Sequence, residues 1–413
     1  MKISKYFPFA FIFFFINSAG LPYGLTFTAL LSPFFYYWIV INRRKEPLLP
    51  FLAALVPFVL VHFYHGVDAG AYGIAVINYA CVYIFCYAFV VFLQRRPDLE
   101  SILTRLLYIN FALCLIAIPF YFTPWYKLFW IEQFLTKGYN NFRRFRMFTY
   151  EASHYATLFM PLFFFFFLQL VFGQHRIKPA YLWTMLLLPL LLSFSLGVLT
   201  AALLAIVATH LLYFNRLTRK KRVFNFLVTG AIAFVAFIAF LVLFFPDNVL
   251  FARLHNILTG NDSSGKGRTF EAFYLAQKIA ELKSVWWGAG AGQVKTTGAA
   301  IIRDYYQYDD NYGIAIPNAT AETLALFGWI GVAIRLLAQG FFFFKTRVWT
   351  NYYRLVIFVF IFIYQFTGSF VTNLAEYALW ILAFVPVFPQ FDVSALSRKK
   401  GTALTKPGPA FAP

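Results

Sequence analysis

Apolar residues recur along this chain in runs of about twenty, each ended by a short polar connection. Backbone N–H and C=O groups in hydrocarbon must be satisfied within the segment, so each run predicts a membrane-crossing helix. Twelve such spans are predicted, at 3–18, 23–41, 47–65, 70–93, 103–123, 153–172, 179–195, 198–214, 223–245, 319–341, 352–370 and 376–391. The stretch from 178 to 214 is too long for one crossing, and Ser193, Ser195 and Gly197 near its middle predict a tight hairpin between two helices. The pattern is that of an all-α, polytopic integral membrane protein with one transmembrane domain over 1–413. A first apolar run preceded by two lysines and followed by Ser18, Ala19 and Gly20 also fits a secretory signal. The apolar pattern resumes at once, which fits a first crossing equally well.

Two connections are long, 123–152 and 246–318, and long loops between closely spaced helices usually carry function. Orientation follows from the basic residues, which collect in cytoplasmic connections. Alternate connections, from Lys2 and Lys5 to the tail at 392–413, hold 22 Lys and Arg against four acids. Both termini are therefore predicted to be cytoplasmic, and the two long loops to be periplasmic.

Composition agrees: 61% of residues are hydrophobic, 22% aromatic and only 12% charged, which excludes a soluble domain. The net charge of +19 would elsewhere suggest nucleic acid. Here the cytoplasmic connections account for +18 and the outer ones sum to zero, so the excess is an orientation signal and no nucleic-acid partner is implied. Cys81, Cys86 and Cys114 lie in apolar stretches and offer neither a disulfide framework nor a metal cluster. The phenylalanine tracts at 163–167 and 341–344 read as lipid-facing or packing surface.

Chemistry is expected at the outer loops. The first ends in Arg143, Arg144 and Arg146, then Glu151, Ser153 and His154 at a helix entrance. Arginine forks and a helix N-terminus suit phosphate oxygens, and Glu151 or His154 could act as a general base. In the plainer reading the arginines meet lipid headgroups and Ser153 caps the helix. The second loop carries Arg268, Trp286, Trp287, Gly288, Gly290 and Gly292, with Arg253, His255, Asp262, Lys266, Glu271, Asp304, Asp309 and Asp310. It suits a sugar- or phosphate-binding lid, and 268–283 predicts an amphipathic helix lying on the membrane. The glycine run 288–292 reads as a flexible turn. The G-x-x-x-x-G-K match at 260–266 lacks the following Ser or Thr and the preceding strand of a nucleotide loop. His62 and His65 lie one turn apart without a clear third metal ligand, and Arg335 lies where an arginine can snorkel. Glu322, one turn inside its helix after Asn318 and Thr320, is costly unless paired and so a site candidate.

These residues, in this order, resemble the O-antigen polymerase and O-antigen ligase superfamily of bacterial envelope glycosyltransferases. The resemblance rests on Arg144 seven residues before Glu151-Ala152-Ser153-His154, the small-residue hairpin at 192–197, Arg268 opening a helix, the G-x-G at Gly288 and Gly290, and Pro317-Asn318 followed by Gly328 and Gly331. It covers 143–331. Ala152 stands where the family pattern usually has Pro, and Pro317 where the ligases have a His beside the Asn. The R-x10-G pattern of some polymerases is absent.

The resemblance implies a polymerase of undecaprenyl-pyrophosphate-linked repeat units in the bacterial inner membrane, independent of metal and other cofactors. A ligase is the close alternative, and a lipid-linked glycan transporter is an alternative of another class. The same resemblance implies that Arg144 and Arg268 bind pyrophosphate with Arg143 and Arg146 in support, and that Glu151 and His154 supply the base or its orienter. Asn318 and Glu322 would line the sugar side, and Trp286, Trp287, Tyr305 and Tyr306 would stack on sugars. The partners implied are the lipid-linked glycan, the bilayer, and flippase and chain-length regulator proteins.

Overall fold

The described residues are mostly helical. The computed structural model describes residues 6–19, 21, 26–43, 48–95, 98–133, 142–213, 243, 263–307 and 314–397. The predicted span 223–245, Lys2 and Lys5, the basic connection at 216–222, Arg253, His255, Asp262, Asp309, Asp310 and the tail from 398 lie outside them.

The first half of the chain comprises α1 (Phe7–Phe11), α2 (Phe27–Leu30), α3 (Ser32–Arg43), α4 (Leu48–Tyr64), α5 (Ala69–Gln94), α6 (Leu99–Phe120), α7 (Ala152–Phe172), α8 (Pro179–Ser193) and α9 (Leu196–Leu212). The second comprises α10 (Ser263–Arg268), α11 (Phe270–Glu281), α12 (Ala299–Tyr306), α13 (Ala319–Lys345), α14 (Tyr352–Tyr364), α15 (Leu374–Phe384) and α16 (Val393–Ser397). Four of these, α5, α6, α7 and α13, are long and apolar enough to cross a membrane, and several others are shorter apolar helices.

Local chemistry sets the boundaries. Asp68, Asp98, Asn318, Asn351 and Asn373 each accept a backbone N–H from the first turn of the helix they precede, occupying one of its unpaired donors. Pro179 opens α8, where its missing N–H costs nothing. Gly173, at φ 69°, ends α7, and Gln174 N–H closes the turn on Gln169 O at 2.9 Å. The hairpin predicted at 193–197 is present: α8 stops at Ser193, Phe194 turns left-handed at φ 48°, and α9 starts at Leu196.

Helix α7 is the hub. It is buried almost throughout, as an element apolar on every face should be. Its tract 163–167 packs within the protein: Phe164 against Phe360 (5.6 Å between centroids) and Phe165 against Phe388 (4.5 Å). The tract at 341–344 differs, with Phe341 57% and Phe344 68% exposed.

Three expectations need correction. The all-α expectation misses a small hairpin in the first long loop: strands β1 (Trp130–Gln133) and β2 (Phe142–Phe145) pair antiparallel, Glu132 facing Arg143 and Trp130 facing Phe145. Helix α11 is amphipathic as predicted, but Ala272, Leu275, Ala276 and Ile279 are buried against α13 rather than lying on a membrane. Its three alanines, 272, 276 and 280, let the two backbones approach.

The third concerns the glycine run 288–292, which is a buried lock and no flexible turn. Helix α13 breaks at Gly328 (φ 64°, ψ −166°), and the run fills the break. Ala289 and Gly290 N–H donate to Ala325 O (2.8 Å) and Leu326 O (3.0 Å), while Trp329 and Ile330 N–H donate to Val285 O and Trp286 O (both 3.1 Å). Broken backbone is tolerated at membrane depth when protein re-satisfies its polar groups, as here. The contact admits no side chain: a Cβ at Gly328 would lie 2.2 Å from Trp286 O, and one at Gly288 2.4 Å from the Leu326 carbonyl carbon.

Candidate functional site

The arginines at 143–146 leave the hairpin in different directions, because neighbouring residues of a strand face opposite ways. Arg143 donates to Glu132 Oε1 (3.0 Å) and to Tyr121 O, with its guanidinium 3.9 Å from the Tyr126 ring centroid. The hydrogen bond from its guanidinium holds the Glu132 carboxyl below the usual carboxylate range. Arg144 is buried and donates to Ser193 O (3.1 Å) in the α8–α9 hairpin. Arg146 donates to Lys127 O (2.7 Å), and burial lowers its pKa. The expected cluster of three arginines around one pyrophosphate is therefore not formed; each is tied to the protein separately.

Downstream, Thr149 turns the chain into α7 by donating its hydroxyl to Arg146 O (2.7 Å) and Glu151 O (2.8 Å). Glu151 itself takes the N-cap position without a side-chain cap bond, and Ser153 lies inside the first turn. The expected Ser153 cap is thus absent, and the Glu151 carboxylate is available to face outward. A small cleft opens there, lined by Tyr150, Glu151, Ser153 and His154 from one side and Arg268 and Pro317 from another. Tyr364 at the end of α14, with Ser369, Phe370 and Asn373 from the connection to α15, closes it.

Inside the cleft, Arg268 Nη2 lies 3.7 Å from Glu151 Oε1. That is ion-pair distance but too long for a direct hydrogen bond, so both charges keep capacity for another partner. The His154 ring lies 4.6 Å from that of Tyr150 at 29° and is buried, and neither of its nitrogens has a hydrogen-bond partner among the described residues. A buried polar group in that state is rare in native proteins and needs a reason. Burial, with the nearby Glu151 charge, pushes the Tyr150 phenol above its ordinary pKa. A guanidinium, a carboxylate and an unpaired imidazole thus meet at one helix entrance.

Two other predicted residues act on the cleft from behind. Asn318 is fully buried; its amide donates to Arg268 O (2.8 Å) and Phe366 O (2.6 Å), and its oxygen caps α13. It positions Arg268 rather than meeting a sugar. Glu322 Oε2 accepts from Val371 N–H (2.7 Å) and so fixes the wall containing Phe370. Neither is among the lining residues.

The predicted aromatics are also outside the cleft. Tyr306 donates to Glu271 Oε2 (2.9 Å) and lies beside Gly267, where a Cβ would sit 3.2 Å from its hydroxyl. Tyr305, 43% exposed, meets Tyr306 at 4.9 Å and Tyr274 at 5.7 Å, forming an aromatic patch. Trp286 is exposed and its carbonyl serves the α13 break. Trp287 packs edge-on to Phe58 (5.4 Å), and its carbonyl takes His62 Nε2 (2.7 Å). With Nε2 donating, His62 Nδ1 accepts from Tyr72 (3.0 Å), so this histidine is structural. No group of three or more potential metal ligands occurs among the described residues.

Sequence reasoning missed the 364–373 wall, because Thr367, Gly368 and Ser369 fall at the end of an apolar window; Asn373 just beyond it was the available signal. It also misread Arg335. This residue does not snorkel: it pairs with buried Glu376 and donates to Gln365 Oε1 (2.9 Å) and Thr323 Oγ1 (3.5 Å). Gln339 and Gln365 exchange amide bonds of 2.8 and 3.0 Å, and Trp380 Nε1 donates to Glu376 (3.1 Å). The chain matches no family model and no curated protein.

Proposed function

We propose that this protein is a membrane glycosyltransferase that polymerises undecaprenyl-pyrophosphate-linked oligosaccharide repeat units on the periplasmic face of the bacterial inner membrane. In this reading the chain crosses twelve times, both termini are cytoplasmic, and the cleft opens outward. The observation that carries it is the meeting of Arg268, Glu151 and the unpaired His154 ring at one helix entrance. The chemistry needs little more. The acceptor hydroxyl oxygen bonds to the anomeric carbon of the donor, the carbon–oxygen bond to pyrophosphate breaks, and its electron pair stays on the leaving phosphate.

Arg268, loosely paired with Glu151, meets the pyrophosphate charge, as a guanidinium fork suits phosphate oxygens. The hydroxyl proton passes to His154 or Glu151, whichever lies within hydrogen-bond reach of the bound acceptor. Tyr306, beside Gly267, and its neighbour Tyr305 offer rings to the sugars. Arg144 supports the site indirectly, by holding the hairpin that leads into Glu151. Pro317 lines the cleft where the resembled ligases have a histidine, which favours polymerisation over transfer to lipid A core.

The test is a chromosomal Arg268→Ala or Glu151→Gln substitution with the lipid-linked glycans analysed by size. Single repeat units should accumulate on the outer leaflet while the variant protein remains in the membrane at normal level. Long polymer in both variants would reject the assignment. Full-length polymer stranded on undecaprenyl pyrophosphate would identify a ligase, and single repeats confined to the inner leaflet a transporter.

A further inference from the structure

We propose that the floor of the cleft, where His154 meets Ser369, is a socket for one neutral hydroxyl of the acceptor sugar, while the donor's pyrophosphate stays at the rim with Arg268. The inference rests on the polymerase reading and divides its site between the two substrates. Exposure separates rim from floor: the side chains of Arg268 and Glu151 are 34% and 23% exposed, whereas the residues His154 and Ser369 are each only 6% exposed. Size decides what enters. The cleft encloses about 20 Å³, and a site for one water takes about 10–15 Å³ in the same measure, so the floor admits a single oxygen and excludes a pyrophosphate.

The wall that carries Ser369 is fixed from several sides. Gly368 O accepts from Ala319 N–H (3.2 Å), Phe366 O from the Asn318 amide (2.6 Å) and Val371 O from the Tyr377 hydroxyl (2.8 Å), while Val371 N–H donates to Glu322 (2.7 Å). Within this wall Ser369 has a left-handed backbone, φ 68°, which is unfavourable for any residue with a Cβ. The glycine that would relieve it stands one place earlier, at 368, where a Cβ would lie 2.7 Å from the Tyr364 ring. A strained residue held this firmly in a cleft wall points to a role for its side chain.

Hydrogen-bonding capacity says what that role is. Asn373 is anchored by accepting Ala375 N–H on Oδ1 (3.0 Å), and its Nδ2 donates to Ser369 Oγ (3.0 Å). Ser369 therefore receives one bond, and no described residue accepts its proton. His154, with neither nitrogen partnered, presents one donor and one acceptor when neutral. A hydroxyl answers both walls: its oxygen accepts from Ser369, and its proton is offered to the accepting nitrogen of His154. A phosphate oxygen has no proton for that nitrogen. Ser369 is thus a specificity-determining residue, oriented by Asn373.

The experiment uses the full chain in lipid nanodiscs and two probes that divide the substrate. One is undecaprenyl pyrophosphate, which carries no sugar; the other is the repeat-unit oligosaccharide released from its lipid by mild acid. Titrations followed by saturation-transfer NMR should show both binding the parent, with saturating undecaprenyl pyrophosphate leaving the oligosaccharide affinity unchanged. Ser369→Ala and Ser369→Gly should each weaken the oligosaccharide about tenfold, the loss of one hydrogen bond, and leave undecaprenyl pyrophosphate unaffected. The alanine removes only Oγ and the glycine also relieves the backbone, so a loss common to both belongs to the hydroxyl. Arg268→Ala should do the opposite. Competition between the probes on the parent, a measurement that needs no variant to fold, would overturn the proposal and leave the polymerase reading in place. So would an oligosaccharide that binds both Ser369 variants as tightly as the parent, or one that fails to bind a parent that takes undecaprenyl pyrophosphate. A parent that binds neither probe would remove both readings.

Discussion

The cleft at the entrance of α7 and the Arg335–Glu376 cluster contain the same kinds of group, arginine with a carboxylate, and differ in how completely those groups are satisfied. Around Arg335, five side chains from three helices exchange short bonds, leaving Glu376 Oε2 alone without a hydrogen-bond partner among the described residues. In the cleft, Arg268 and Glu151 stay 3.7 Å apart and both nitrogens of His154 lack partners. A buried polar set that is nearly closed on itself has little left to offer a substrate and fixes helix positions instead. One that is open keeps its binding capacity at the expense of stability.

The sharpest way to break this contrast is to truncate one member of each set. His154→Ala should lower polymerisation by about 10²–10⁴-fold, the usual range for a general acid or base, while thermal unfolding in detergent stays within about 1 kcal/mol. Glu376→Ala should do the reverse: it strands the Arg335 charge and costs about 3–5 kcal/mol of stability. Arg335→Met/Glu376→Leu should recover much of that loss. A His154→Ala protein that unfolds, or a Glu376→Ala protein of unchanged stability, would erase the distinction.

Gly328→Ala should come next. The new Cβ would fall 2.2 Å from Trp286 O at a left-handed backbone position, so the variant should lose about 2–3 kcal/mol and loosen the 284–290 segment, read by proteolysis. Protection equal to the parent would show that the lock bends freely. The smallest effect belongs to the exposed Arg143–Glu132 pair. Its carboxylate pKa is lowered in the fold, so whatever it contributes is present above the unfolded pKa and is lost as pH falls through the folded one. Glu132→Gln should therefore shift the unfolding temperature slightly at neutral pH, and parent and variant should converge in acid.

Helix positions were legible because every crossing must satisfy its own backbone, so apolar runs read directly as helices; the hairpin at Ser193 and Gly197 was legible from small residues. Glu151, His154 and Arg268, which line one cleft, also stood out by residue type and order. What escaped were relations between distant segments. The run 142–146 looks like a cationic cluster in one dimension, and only strand alternation shows Arg143 and Arg144 parting. Gly288 and Gly328, forty residues apart in sequence, give no sign that each exists to admit the other's backbone. Arg335 acquired its partners from Gln365 and Glu376, on helices whose apolar appearance concealed them.

The break in α13 also bears on how the chain is made. Residues 284–290 leave the ribosome before 325–330, yet Ala289 and Gly290 N–H, Ala325 and Leu326 O, and Trp329 and Ile330 N–H bond across the two segments. A nascent chain that has exposed the glycine run must wait for about forty more residues before this corner can close. Until then neither half of α13 has partners for the backbone groups at the break, so the docking of the 284–290 segment and the completion of α13 form a single step of folding.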